Sequence, residues 1–285
     1  MSSENLICAG RTVARYVWDP DLPAAVSPRP YLHPVTTLGG TTVTGFRPAD
    51  HEHHLGASVA IPVLNQANFW GGRTYVAGRG PVGLDDHGRQ RHTRWLHRSD
   101  DRLVQEICWL GRDGAPLARE ERSLSVRAVG DTSWLLRVGF ALSGIDGAAL
   151  VIDSPGARGR AGAGYGGFFW RAPAGLAQVR AYGATGDPHG SRQPWVVLTG
   201  SESEAATWTL VFRAGVHADP WFVRASDYAG VCSAIAWDRP LVIKTGGVLT
   251  RRLSVLVADG PPTEALLAEA EADVSAPYGH GAGGV

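Results

Sequence analysis

Short runs of alternating apolar and polar residues recur along this chain, each bounded by glycine, proline, aspartate or asparagine. Arg122-Ser-Leu-Ser-Val-Arg and Trp208-Thr-Leu-Val-Phe-Arg show the pattern most clearly. Successive side chains of a strand point to opposite faces, so such a run buries one face and wets the other. The pattern predicts strands at 41–44, 57–62, 103–110, 122–129, 134–142, 177–181, 195–198, 206–212, 240–243 and 249–257. Asp113-Gly114, Gly130-Asp131, Asp146-Gly147 and Gly246-Gly247 mark turns between them. One stretch has strong helical propensity: an Ala/Leu/Glu run from Glu264, with Thr263 placed as its N-cap, predicts a helix over about 263–273. The tail, 275–285, ends Gly-His-Gly-Ala-Gly-Gly-Val and is expected to be flexible.

Many strands and one short C-terminal helix make this an all-β chain, expected to form a large antiparallel β-sandwich with a jelly roll as the alternative. The 285 residues, 44% of them hydrophobic, suffice for a large core. No linker composition divides the chain, so one domain is expected over 1–274. The 37 glycines and 18 prolines suit many tight turns. Lysine and arginine number 27, and so do aspartate and glutamate. No basic face is implied, and neither nucleic acid nor membrane is an expected partner. Cys8, Cys108 and Cys232 are far apart and odd in number, with no zinc spacing or disulfide framework. They read as buried free thiols in a reducing compartment. The N-terminus lacks a basic start followed by an apolar run, so a cytoplasmic protein is expected.

The strongest chemical signal is Arg47-Pro-Ala-Asp-His-Glu-His-His. On an extended strand His51 and His53 share a face and His54 takes the other. Two imidazoles on one face could bind a divalent metal, the one cofactor this pattern admits, or provide a general acid or base near neutral pH. Asp50 or Glu52 could orient an imidazole. His92 is a candidate third metal ligand. A surface strand with ordinary histidines would carry the same residues.

Asn65, Asn68, Trp70, Arg73 and Tyr75 mix amide and guanidinium donors with aromatic faces, which suits sugars: these show hydroxyls and apolar C–H faces together. The glycine-rich string 162–167 is not followed by a helix opening, so it is no phosphate loop. Its glycines let backbone approach a ligand or pack a bend, and Arg160, Tyr165 and Arg171 could contact that ligand. Arg224 could reach an anionic or hydroxylated ligand, with Trp221 stacking. Glu120 and Glu121 read as an exposed strand start. No Gly-x-Ser-x-Gly elbow supports serine hydrolysis.

Arg29-Pro-Tyr-Leu-His-Pro, Pro48-Ala-Asp-His-Glu-His-His, Asn68-Phe-Trp-Gly-Gly, Ala163-Gly-Tyr-Gly-Gly-Phe-Phe-Trp-Arg, Trp221-Phe-Val-Arg and Val255-Leu-Val-Ala-Asp-Gly resemble the PmoA-like family of bacterial proteins, in its actinobacterial branch. The resemblance implies a role in sugar catabolism and a supersandwich of galactose-mutarotase-like type. The expected function is a carbohydrate-active enzyme working on a sugar, keto-sugar or glycoside by isomerisation, β-elimination or hydrolysis. His51, His53 and Glu52 would be catalytic, and His51, His53 and His92 would hold a metal if one binds. Arg47, His54, Asn68, Trp70, Arg73, Arg160, Tyr165 and Arg224 would bind substrate. A non-catalytic sugar-binding module and a structural or interaction protein are the alternatives. Homo-oligomerisation is left open.

Overall fold

The computed structural model describes residues 1–201, 203 and 206–272. The tail 275–285 lies outside the described residues. Among those described, two large antiparallel sheets hold nearly all the regular structure. The first orders Ser2–Cys8, Arg11–Asp19, Tyr31–Val35, Ala57–Leu64, Gly167–Arg171, Gly230–Ser233 and Trp221–Arg224 side by side. Ala67–Phe69 and Leu150–Asp153 also pair with Ala57–Leu64, and Leu241–Ile243 pairs with Leu150–Asp153. The second runs Gln178–Gly183, Trp195–Ser201, Thr207–Ala214, Val248–Asp259, Ser133–Gly144, Pro116–Val129, Arg102–Leu110 and Arg89–Arg98. The all-β architecture agrees with the alternation of the sequence.

Alternation also explains the layering. Val59, Ile61, Phe168, Trp170, Trp221, Val223 and Val231 of the first sheet meet Ile107, Trp109, Leu124, Leu136 and Val255 of the second in one shared core. Their neighbours Ala60, Phe169, Phe222 and Cys232 point the opposite way and join Trp70 in a separate cluster on the first sheet's outer face. Ala57–Leu64 is buried along its whole length, which is why it reads as an almost continuous apolar run. On the outer face of the second sheet, Leu135, Val197, Val211 and Leu256 pack under Leu266 of the helix Glu264–Ala272. Thr263 caps that helix: its Oγ1 accepts the Leu266 amide at 3.2 Å. No helix among the described residues is long and apolar enough to cross a membrane.

Three local expectations change. Residues 41–44 are no strand: Thr42 makes only an isolated bridge to Thr36. Glu120 is not an exposed strand start but fully buried, bound by Arg122 Nε at 2.7 Å and Trp109 Nε1 at 2.8 Å. Cys8 and Cys232 are buried free thiols as expected, whereas Cys108 is only half-buried.

Candidate functional site

The histidine string is not a strand. The His51 amide donates to Pro48 O and the His54 amide to His51 O, both at 2.9 Å, and the Arg47 amide returns to His54 O at 2.9 Å. Two successive turns therefore replace the extended path, and they are closed by a bridge between Phe46 and Leu55. Turns abolish the two-residue parity on which opposite faces depend. All three rings consequently converge: centroids lie 4.6 Å apart for His51 and His54, 4.7 Å for His53 and His54, and 5.7 Å for His51 and His53.

Arg29 holds this loop from beneath and is 1% exposed. Its Nη2 donates to His53 O at 2.7 Å. Its Nη1 reaches Val26 O, Ser27 O and Trp70 O at 3.0–3.1 Å, and its Nε reaches Ser58 Oγ at 3.1 Å. Burial lowers its pKa to about 9, which still leaves the cation intact at neutral pH. Gly71 and Gly72 bring the adjoining turn against His53, with φ values of 98° and 67°. A Cβ at Gly71 would meet the His53 Cβ at 2.6 Å, so only glycine admits this approach.

The rings differ in their surroundings. Asp50 Oδ2 lies 2.7 Å from His51 Nδ1. A carboxylate accepts only, so Nδ1 carries the hydrogen and Nε2 is left to accept a proton. Burial, with Arg29 nearby, depresses the His53 pKa to about 3, and burial pushes His54 down further. Both are neutral at pH 7. In the unfolded chain both titrate near 6.5. Below that pH the unfolded chain binds protons that the folded chain refuses, so stability falls as pH falls from about 6.5 towards 3. Each ring is expected to contribute up to about 1.4 kcal/mol per pH unit. Urea titrations between pH 6.5 and 5, above most carboxylate titration, measure this directly. Burial also lowers the pKa of His33 and His189, so His54→Gln should remove one ring's share of the slope, and an unchanged slope would refute the neutral assignment.

The loop forms one wall of a cleft of about 480 Å³ on the outer face of the first sheet. Trp70, Tyr165, Phe222 and Tyr228 supply apolar surface, and Arg73, Arg160, Arg224, Asp50 and Asp227 supply charge. Tyr165 lies 4.6 Å from Trp70 and 5.3 Å from Phe222, centroid to centroid. The Arg224 guanidinium covers Phe222 at 4.2 Å. Arg171 stands behind the cleft over the Tyr228 ring at 4.4 Å, with its Nη1 3.5 Å from His54 Nδ1. His189 ties the wall together: its Nδ1 accepts the Val223 amide at 3.1 Å, which leaves Nε2 to donate to Gly162 O at 3.0 Å. That pins the segment bearing Arg160 to the strand bearing Arg224.

Of the residues singled out from sequence, His51, His53, His54, Trp70, Arg73, Arg160, Tyr165 and Arg224 line one cleft. Glu52 does not orient an imidazole: exposed on its turn, it pairs with Arg47 at 3.0 Å, outside the cleft lining. Asp50 takes that position instead. Asn68 is 1% exposed, and its Oδ1 accepts the Trp70 and Gly71 amides at 2.8 Å. It shapes the turn and does not face a ligand. His92 is remote from the loop, packed against Trp18 and Trp95 with Nδ1 2.6 Å from Gln105 Oε1. It therefore completes no metal site with His51 and His53, and no group of three or more His, Cys, Asp or Glu among the described residues is arranged to hold a metal ion. Trp221 is a core residue donating from Nε1 to Gln193 O, so Phe222 and not Trp221 meets the cleft. Gly164 packs a bend, its α-carbon lying where any Cβ would strike Trp237 O at 2.3 Å. Arg29, His189, Asp227 and Tyr228 carry no sequence signal of their own, since distant segments create their roles.

A family model described as "Family of unknown function (DUF6807)" matches residues 5–272. It overturns the PmoA-like resemblance, which the matched model does not support. No curated protein matches the sequence. Solved structures with similarity include a protein assigned as an aldose 1-epimerase from Escherichia coli K12, at 12% identity and a TM-score of 0.40, covering 91% of this chain and 99% of that one. Another, assigned as a kojibiose phosphorylase from the human microbiome, gives 10% identity and a TM-score of 0.35 over 62% of this chain and only 21% of its own length. HI1317 gives 12% identity and a TM-score of 0.32, covering 91% of this chain and all of its own. Likenesses this remote say nothing about chemistry.

Proposed function

The chain belongs to the DUF6807 family of unknown function, and for it we propose a carbohydrate-active enzyme that moves a proton next to the carbonyl of a sugar or keto-sugar. One observation carries this reading. A carboxylate-oriented imidazole, His51 with Asp50, stands beside a neutral imidazole, His53, in a cleft with aromatic and polar walls. Aromatic faces stack on sugar C–H surfaces while guanidinium groups donate to hydroxyls. In this reading His51 Nε2 takes a proton from the carbon beside the carbonyl, and the C–H electron pair passes into an enolate. Arginine side chains of the cleft stabilise the developing oxyanion. Return of the proton to the former carbonyl carbon, with the proton of the adjacent hydroxyl passing to the original carbonyl oxygen, completes an isomerisation. Expulsion of a β-substituent with its electron pair, and delivery of the proton to it, completes an elimination. Neither route needs an oxidant or a second substrate.

Proton NMR of keto-sugars and keto-glycosides incubated with the protein in D2O tests the proposal. Loss of the α-proton signal, or appearance of an eliminated product, is expected with the wild type and not with His51→Ala. Saturable sugar binding with no exchange and no product would overturn catalysis in favour of a binding module.

A further inference from the structure

We infer that the substrate carries an anionic group, a carboxylate or a phosphate, which docks on Arg73, Arg160 and Arg224 in the cleft they share with His51 and Asp50. The inference deepens the sugar reading above and rests on it. The whole chain is electrically balanced, with 27 basic and 27 acidic residues. The cleft is not. Three guanidinium groups line it, and Arg29 and Arg171 lie directly behind its wall, against only Asp50 and Asp227 on the lining. Asp50 is already engaged with His51.

Among the described residues none of these five arginines makes an ion pair with a carboxylate. The contrast with Arg158 is informative, because that neighbour is neutralised by Asp153 at 2.7 Å. Arg73 and Arg160 also make no side-chain hydrogen bond within the described chain. Arg224, by comparison, is braced on Val223 O at 3.0 Å and laid over Phe222, which fixes one fork of donors at the cleft wall. Like charges lining one cleft repel, and an anion entering there relieves that repulsion while forming charge-assisted hydrogen bonds. A neutral sugar would leave the repulsion in place.

Isothermal calorimetry at low ionic strength separates the possibilities. The probes are a uronic acid, a sugar phosphate and their neutral parent sugars. The anionic sugar is expected to bind at least tenfold more tightly than its neutral parent, with affinity falling as salt is added. Preference for the uronate assigns a carboxylate, and preference for the phosphoester assigns a phosphate. Arg73→Ala and Arg160→Ala, at exposed positions, should fold normally and each weaken the anion about tenfold or more. Binding of the neutral parent sugars should fall by a clearly smaller factor. Equal affinity for charged and neutral sugars, or anion binding indifferent to both substitutions, would overturn the inference while leaving the sugar site standing. Absence of binding by every sugar, charged or neutral, would bring down both.

Discussion

Arg29→Met is expected to lower unfolding free energy by about 4 kcal/mol or more, and to disperse the three imidazoles even where the chain still folds. The side chain is buried and donates to four main-chain carbonyls and one hydroxyl drawn from four segments. Methionine fills much of the volume but donates nothing. Each carbonyl left buried without a partner costs roughly 1–3 kcal/mol. The charge itself works in the opposite direction, since desolvating a guanidinium without a carboxylate is expensive. That partial offset is why the estimate stays well below the simple sum over carbonyls. Arg29→Lys keeps the charge but loses the planar fork and reaches fewer carbonyls, so an intermediate loss is expected. Equilibrium urea unfolding at pH 7 measures both. A loss under about 1 kcal/mol for the methionine variant would mean that other groups satisfy those carbonyls, and Arg29 would lose its role as the pillar of the loop.

The second large effect concerns rate. His51→Ala should reduce turnover by about 10²–10⁴-fold, the usual contribution of a positioned acid or base. Stability should change by less than about 1 kcal/mol, because the ring is partly exposed on a turn held by main-chain contacts. Asp50→Asn makes the sharper test. Asparagine can present its amide to Nδ1, which favours the tautomer with the hydrogen on Nε2 and removes the lone pair that accepts the proton. Turnover should fall nearly as far as in His51→Ala with KM little altered. An Asp50→Asn variant with wild-type turnover would confine Asp50 to a surface contact, and retention of turnover in His51→Ala would move the base elsewhere in the cleft.

Architecture was the legible part of this sequence, because a strand records its two environments in every second residue. The strand Pro116–Val129 announces itself in this way, while Ser133–Gly144 and Val248–Asp259 show as apolar runs bounded by turn residues. Arg89–Arg98 does not. It closes one edge of its sheet, and its charged, mostly solvent-facing residues look like a loop. The histidine string stood out by composition, but its conformation was hidden. Parity arguments presuppose an extended backbone, and nothing local to 47–54 declares the two turns. Arg29 entered only within the string Arg29-Pro-Tyr-Leu-His-Pro and with no role of its own, since its partners Trp70 and His53 lie 41 and 24 residues away. Tyr228 is likewise a single aromatic in a polar turn until the first sheet brings Arg171 beneath it. Glu52 misled for a geometric reason: proximity in sequence to two histidines said nothing about which carboxylate the turn would aim inward.

The grip of Arg29 on the histidine loop has a consequence for how this surface can change over generations. The guanidinium holds oxygen atoms that every amino acid possesses, and asks nothing of the side chains displayed above them. Replacement of the partly exposed His51 imidazole would thus leave the frame that presents it undisturbed. Such an arrangement lets paralogues trade one reactive group for another on an inherited mount, so that divergence in chemistry need not wait for divergence in shape.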